Sequence, residues 1–318
     1  MKYLKNLVNH NSYSAFIVGS DFNSIQTEQN ASVSYCKNER HIHYNPYVPA
    51  KLLDILYSDA NGNLSFTSEV LPASEGKTPI GLCITGTNFF GTGEKARWMS
   101  LKYMNYTTPD TGSLTAQSIF WGNQNIDIST INNIQTTYNG GSEWGYLTAN
   151  WITGVNNKIP NLLSDNNKWN ISALGTVNQY TVTDIDGKNK TNKILTYATG
   201  QSNWQTSISI TNNYNNYYTP AACCCWRYHT LGTNQGDWYL GSCGEMGVIV
   251  EKRNEINIKL AEINTIYDND CINFLNNNRY WTSTEYDSKN IYFIRTDDGR
   301  VMSNTKNSDY YVIAILQY

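Results

Sequence analysis

Residues 236–263 read GDWYLGSCGEMGVIVEKRNEINIKLAEI. Ser242 is followed three residues later by Glu245, the spacing of a capping box, in which each residue satisfies a backbone N–H that the start of a helix leaves orphaned. Met246, Ile249, Ile256, Leu260 and Ile263 then recur on one helical face, with Arg253 as the polar step in the series. The pattern predicts one helix running to about Ile266, its apolar stripe packed on a sheet.

The flanks of this stretch are strand-like. After a polar, Asn-rich loop come Arg279–Glu285, Asn290–Thr296, Arg300–Asn304 and Tyr310–Leu316, with Asp297-Asp298-Gly299 as a tight turn between the middle two. Upstream, Ile80–Thr85 and Ala96–Met104 are apolar strands around the Gly/Thr/Asn loop Gly86–Gly93. Asn139–Gly141 and Asp186-Gly187 mark turns, and Thr211–Tyr218 is a polar-aromatic loop. One helix followed by an antiparallel meander predicts the α+β class.

Residues 1–74 stand apart. They hold two hairpins, Ser32–Cys36 with His41–Tyr44, and Leu53–Tyr57 with Leu64–Phe66 across Asn61-Gly62. So short a piece cannot build a core alone, so it is expected to serve attachment and oligomerisation. Residues 75–318 form the main domain.

Composition narrows the function. Of 318 residues, 40% are hydrophobic and only 15% charged, against a usual charged share of about 25%. Asn, Thr, Ser and 24 Tyr fill the deficit. A low-charge, aromatic-rich chain does not carry the signature of disorder. No apolar run approaches the roughly 18 residues of a membrane span, so no membrane insertion is expected. A net charge of -3 and a pI near 5.8 give no footprint for nucleic acid. The start, MKYLKNLVNHNSYSAF, lacks the apolar core of a signal peptide. A surface of this composition on a chain not addressed for export fits a virion protein, made in the host cytoplasm and displayed on the particle; it equally fits a cytoplasmic protein from an AT-rich genome, whose codons favour Asn, Tyr, Lys and Ile.

The seven Cys, at 36, 83, 223, 224, 225, 243 and 271, include no CxxC pair. Buried free thiols in a reducing compartment are expected of them, with no metal and no cofactor. His41 and His43 share a strand face but have no third ligand nearby, and His229 is expected to bond a backbone carbonyl. Gly86 to Lys95 does not meet the GxxxxGK[ST] spacing of a phosphate loop. No Ser/His/Asp or Cys/His arrangement has motif support, so no catalytic residue is assigned.

GDWYLGSCGE at 236–245, YWTSTEY at 280–286 and the closing IYFIRTDDGRVMSN and YYVIAILQY resemble the bacterial and phage C-type-lectin-like domains of the DUF1566 and Fib_succ_major type. That pattern is DWYLPS with a following Glu, then YWSSTE, then a closing hairpin. The resemblance covers about residues 215–318, where Ala221–Tyr228 (AACCCWRY) looks like the small-residue and Cys strand that precedes the DWYLPS element, and extends more loosely over 79–214. The Pro of WYLPS is Gly241 here. The resemblance implies a C-type-lectin-like fold, mostly antiparallel β with one or two helices. It also implies a Bacteroidales phage protein, either a head fibre or decoration or a receptor-binding protein. Trp238, Tyr239, Leu240 and Trp281 are expected in the core, and Glu285 on backbone N–H groups or an Arg. The calcium-type EPN, QPD and WND signatures of animal relatives do not occur. The closing hairpin is where relatives display variable binding residues, which makes Tyr286, Asp287, Ser288, Asn290, Tyr292, Arg300, Ser303 and Asn304 the candidate ligand-binding set. Expected partners are a second or third copy of the chain, other virion proteins through residues 1–74, and a host surface glycan or protein. The alternatives are a bacterial cell-surface adhesin, an enzyme of the formylglycine-generating kind using Cys223–Cys225, or a purely structural capsid-stabilising protein with no ligand.

Overall fold

The computed structural model describes residues 49–90, 93–122, 127–128, 131, 144–145, 184–199, 219–267, 271, 278–296 and 301–318. Packing divides the chain between Asn45 and Pro46. All the described residues belong to the second unit. The expected hairpin of Ser32–Cys36 with His41–Tyr44, the His41/His43 pair, the turns at 139–141 and 297–299 and the loop at 211–218 lie outside the described residues.

Helices and antiparallel sheets make an α+β fold. The larger sheet has the order β2-β1-β3-β4-β12-β7. Its strands are β1 (Ile55–Asp59), β2 (Leu64–Thr67), β3 (Lys77–Thr85), β4 (Arg97–Tyr103), β7 (Trp238–Leu240) and β12 (Ile313–Gln317). Every neighbouring pair in it is antiparallel. The second sheet has the order β6-β10-β9-β8, from β6 (Trp144–Gly145), β8 (Arg279–Glu285), β9 (Asn290–Arg295) and β10 (Val301–Thr305). A short pair joins β5 (Ile119–Phe120) to β11 (Asp309–Tyr310).

The hairpin at Asn61-Gly62 forms where its sequence places it, and β1 continues the larger sheet by pairing with β3. Residues 55–67 are thus one sheet with strands on the far side of residue 74. Gly62 takes φ 79°, a backbone conformation that suits glycine. Asp59 holds the turn. Its Oδ1 accepts the N–H groups of Asn61 and Asn63 at 2.8 Å, and its Oδ2 accepts Asn63 Nδ2 at 2.8 Å. These bonds, the Asn63 side chain first, lower the carboxyl pKa. A depressed folded pKa contributes stability above the unfolded value that is lost as pH falls through the folded one. Asp59→Asn is therefore expected to flatten the acid side of the stability–pH curve, measured by urea unfolding between pH 7 and pH 3.

The single helix expected after Ser242 is two. α3 (Cys243–Glu251) and α4 (Arg253–Ile266) meet at Lys252, whose φ of -96° and ψ of 14° interrupt the helical path. Residues 243–250 of α3 are all buried, the Glu245 carboxylate among them, against β8, β9 and β3. α4 buries only Ile256, Leu260 and Ile263, and Ile258 faces solvent. The break lets a fully enclosed helix continue as a surface one.

Two further corrections concern helices. Ala221–Tyr228 is not a strand, because α2 spans Pro220–Arg227. Pro220 sits in the first turn, where its fixed φ and missing N–H are tolerated, and Ala221-Ala222 favour a helix. α1 (Gly187–Thr199) starts where only an Asp-Gly turn was expected. Its stripe is short: Lys190, Thr191, Ile194 and Leu195 are buried on an otherwise polar helix. The last expected strand divides into β11 and β12, with Tyr311 bridging to Tyr280 between them.

The core is aromatic. Trp98, Trp121, Trp238, Trp281, Tyr57, Tyr228, Tyr239, Tyr280 and Phe293 are enclosed. Tyr228 meets Trp238 edge-on at 5.1 Å, and Trp281 meets Phe293 edge-on at 6.1 Å. Such geometries add about 0.5–1.5 kcal/mol each beyond area burial.

Candidate recognition surface

The two motifs flanking the helices interlock. The Ser283 N–H donates to the Gly241 carbonyl at 2.9 Å, and the Cys243 N–H donates to Thr284 Oγ1 at 2.9 Å. Glu245 closes the capping box by accepting the Ser242 N–H on Oε2 at 2.9 Å. Its Oε1 accepts Arg97 Nε at 2.9 Å and the Tyr239 hydroxyl at 2.7 Å. Burial pushes the Glu245 pKa up, opposed mainly by the Arg97 charge.

Beside it, the Asp184 carboxylate takes Lys190 as an ion pair and the Thr284 hydroxyl at 2.7 Å, while its backbone carbonyl accepts the Gly244 N–H at 2.9 Å. Arg97, Asp184 and Lys190 carried no motif, and sequence reading missed them. The signal was only a charged residue inside an apolar strand, ARWMSLKYM, and two charges flanking an Asp-Gly turn.

Gly187 is the tight spot of this lock. A Cβ there lies 2.8 Å from the Ser242 nitrogen and 2.9 Å from the Leu240 carbonyl oxygen, and against the Glu245 carboxylate. Gly187→Ala is expected to cost about 2 kcal/mol or more by forcing the capping box apart, measured as a lower urea midpoint with an unchanged m-value.

The closing hairpin carries the expected ligand set. Asp287 Oδ1 accepts the N–H groups of Lys289 and Asn290 at 2.7 Å, and Asn290 Nδ2 donates to both Asp287 carboxylate oxygens at 3.0 Å. The Tyr286 and Asp287 N–H groups both donate to the Asn290 carbonyl at 3.2 Å. Asp287 and Asn290 thus spend most of their hydrogen-bonding capacity on the turn. Tyr286, Ser288 and the turn backbone remain partly exposed.

The Tyr286 ring meets Tyr292 edge-on at 5.3 Å. Tyr292 lies opposite Ser303, and Ile291 lies opposite Asn304. Adjacent strand positions point to opposite faces, so Ser303 and Asn304 cannot serve one surface. Tyr286, Tyr292 and Ser303 share a side. Asn304 turns away, and its Nδ2 donates to the Tyr310 hydroxyl at 2.5 Å. Tyr292 and Ser303 are buried. Arg300 lies outside the described residues.

The turn is pinned from beneath. Lys306 is fully enclosed and ion-paired to Glu285 Oε1, which is equally enclosed. Lys306 Nζ also donates to the Ser288 carbonyl at 3.3 Å, and its backbone N–H donates to the Lys289 carbonyl at 3.0 Å. Its ammonium sits 5.2 Å from the Trp121 ring centroid. Glu285 therefore bonds a lysine in place of the expected arginine, and the Ile128 backbone amide, of the expected backbone kind, also helps to hold its charge. Burial raises its pKa and lowers that of Lys306.

Cys83, Cys223, Cys224, Cys225, Cys243 and Cys271 are buried and unbridged. Burial pushes the thiols of Cys223 and Cys243 up to about 12 and those of Cys224 and Cys225 well above the ordinary value. His229 Nδ1 lies 3.0 Å from the Arg227 carbonyl oxygen. Among the described residues no group of three or more His, Cys, Asp and Glu is placed to hold a metal ion, and no helix is long and apolar enough to cross a membrane.

No protein-family model and no curated protein matches this chain. Among solved structures it is similar to a fimbrial protein from Bacteroides ovatus, with a TM-score of 0.46 and 15% sequence identity over 84% of this chain. The chain spans about half the length of that protein, 49%.

Proposed function

We propose that this chain is a non-catalytic recognition protein of a phage virion surface, a fibre, decoration or receptor-binding protein with a C-type-lectin-like domain. In this reading the Tyr286–Asn290 turn meets a host surface glycan or protein. The observation that carries the reading is the construction of that turn. A partly exposed Tyr and Ser are presented on a backbone held by Asp287 above and by Lys306 below. A pre-ordered polar-aromatic tip loses little entropy on binding. The two motifs support the domain assignment through their interlock. The other ionisable groups of this region support a non-catalytic role, since the carboxylates are tied to Arg97, Lys190 and Lys306 and the thiols are enclosed and held protonated. Repetition in a homo-oligomer, dimer or trimer, raises the avidity of a weak site.

Two measurements test this. Gold-labelled antibody against the chain should decorate phage particles, whereas label confined to bacterial cell envelopes selects an adhesin instead. On glycan arrays and host cells, Tyr286→Ala is expected to weaken binding by about tenfold or more, as for an interface hot spot, with little change in the urea midpoint. Binding unaltered by Tyr286→Ala and by Ser288→Ala removes the turn from the site.

A further inference from the structure

We propose that Lys306 and Glu285 are joined by an intramolecular isopeptide bond, a covalent staple across the base of the closing hairpin. Both side chains have zero exposure, and they are in direct contact. The contact is between Lys306 Nζ and Glu285 Oε1. Glu285 Oε2 makes no complete hydrogen bond, although the backbone amide of Ile128 helps to hold its charge. The Trp121 ring walls the site on the lysine side.

An ion pair removed from water this completely is poorly stabilised as two charges, and proton transfer from the ammonium to the carboxylate yields a neutral amine beside a neutral acid. Burial drives both groups in that direction, raising Glu285 and lowering Lys306. The Asp127 and Asp287 charges also reach the site, and Asp127 further raises Glu285.

The reaction is a condensation. The Nζ lone pair attacks Glu285 Cδ, a C–N bond forms, one C–O bond of the acid breaks, and the departing oxygen leaves with the acid proton and an amine proton as water. No oxidant, reductant or co-reactant is consumed. Holding the two groups together replaces a bimolecular encounter by an intramolecular one. Exclusion of water from the site disfavours the reverse hydrolysis. The proposal stands on the buried pair and does not depend on the recognition role of the turn.

The geometry distinguishes this pair from Lys190 and Asp184, a second buried lysine–carboxylate pair among the described residues. Lys190 meets Asp184, but Asp184 Oδ2 also accepts the Thr284 hydroxyl, and both side chains of that pair retain a little exposure, 10% and 3%.

The test is intact mass spectrometry of the purified full-length chain, followed by tryptic mapping. The expected result is a mass one water below the sequence sum. The peptide carrying Glu285 should be linked to the one carrying Lys306, without cleavage after Lys306. Lys306→Met should restore the full mass. Glu285→Gln should lose one ammonia instead of one water, because the amide nitrogen then leaves. A wild-type chain at full mass, with ordinary cleavage after Lys306, overturns the proposal whether or not the variants fold. So does a water loss mapping to the Asp-Gly pairs at 186–187 or 298–299, or to Lys190 with Asp184.

Discussion

Trp281→Ala is expected to destabilise the fold by about 3–5 kcal/mol, the range for deleting a large aromatic from a packed interior. Trp281 is wholly buried, its ring centroid 4.3 Å from that of Tyr310 and 6.1 Å from that of Phe293. Its Nε1 donates to the Ile119 carbonyl at 2.7 Å, and Trp121 Nε1 donates back to the Thr282 carbonyl at 2.9 Å. The alanine variant loses area, opens a cavity and leaves the Ile119 carbonyl without that donor. Trp281→Phe keeps most of the ring and isolates the hydrogen bond, so its cost should be clearly smaller. Equilibrium urea unfolding gives both values. A loss below about 1 kcal/mol for the alanine variant contradicts the packing described.

Arg97→Ala should cost a similar amount, about 3–5 kcal/mol at neutral pH, the range for breaking a buried ion pair by removing one partner. Both side chains are nearly inaccessible, at 3% and 1% exposure. Removing Arg97 leaves the Glu245 carboxylate with only the Ser242 N–H and two hydroxyls. Burial already raises the Glu245 pKa, and the variant loses the main opposing charge. A raised folded pKa contributes stability that is present below the unfolded value and lost as pH rises through the folded one. The penalty for Arg97→Ala is therefore expected to shrink as pH falls from 7 toward the ordinary glutamate value of 4.5. A penalty that grows on acidification means that Glu245 does not answer to Arg97. Glu245→Gln retains an acceptor for the Ser242 N–H, which separates the cap from the charge.

Legibility in the sequence followed range of interaction. The capping box at Ser242 and Glu245, the Asn61-Gly62 hairpin and strand β8 at Arg279–Glu285 are where local pattern places them. Each depends on neighbours within a few residues. The helix α2 was expected as a strand because Ala221–Tyr228 looks like a strand of the resembled domain, whereas Pro220 and the two alanines after it carried the better signal. α1 was missed because its buried face comprises only Lys190, Thr191, Ile194 and Leu195, two of them polar. A stripe containing a buried lysine has no visible amphipathic period until its partner, Asp184, is known.

The candidate site divides the same way. The Asp287–Asn290 turn is local chemistry, since Asp and Asn side chains bond the backbone two or three residues on. Which of the named residues share a face was not legible, because it depends on the register of β9 against β10. That register sets Tyr292 opposite Ser303 and Asn304 opposite Ile291.

By itself the sequence determined the α+β class, the start of α3, the aromatic interior and the identity of the turn, because these rest on periodicity, capping and side-chain size. Tertiary structure alone decided that Glu285 pairs with Lys306, that Glu245 pairs with Arg97 across 148 residues, and that Asn304 turns from the Tyr286 side toward Tyr310. The physical reason is that a charge or amide in a strand declares only that it needs a partner. Desolvation makes that need costly, and only the packing of distant strands determines which group meets it.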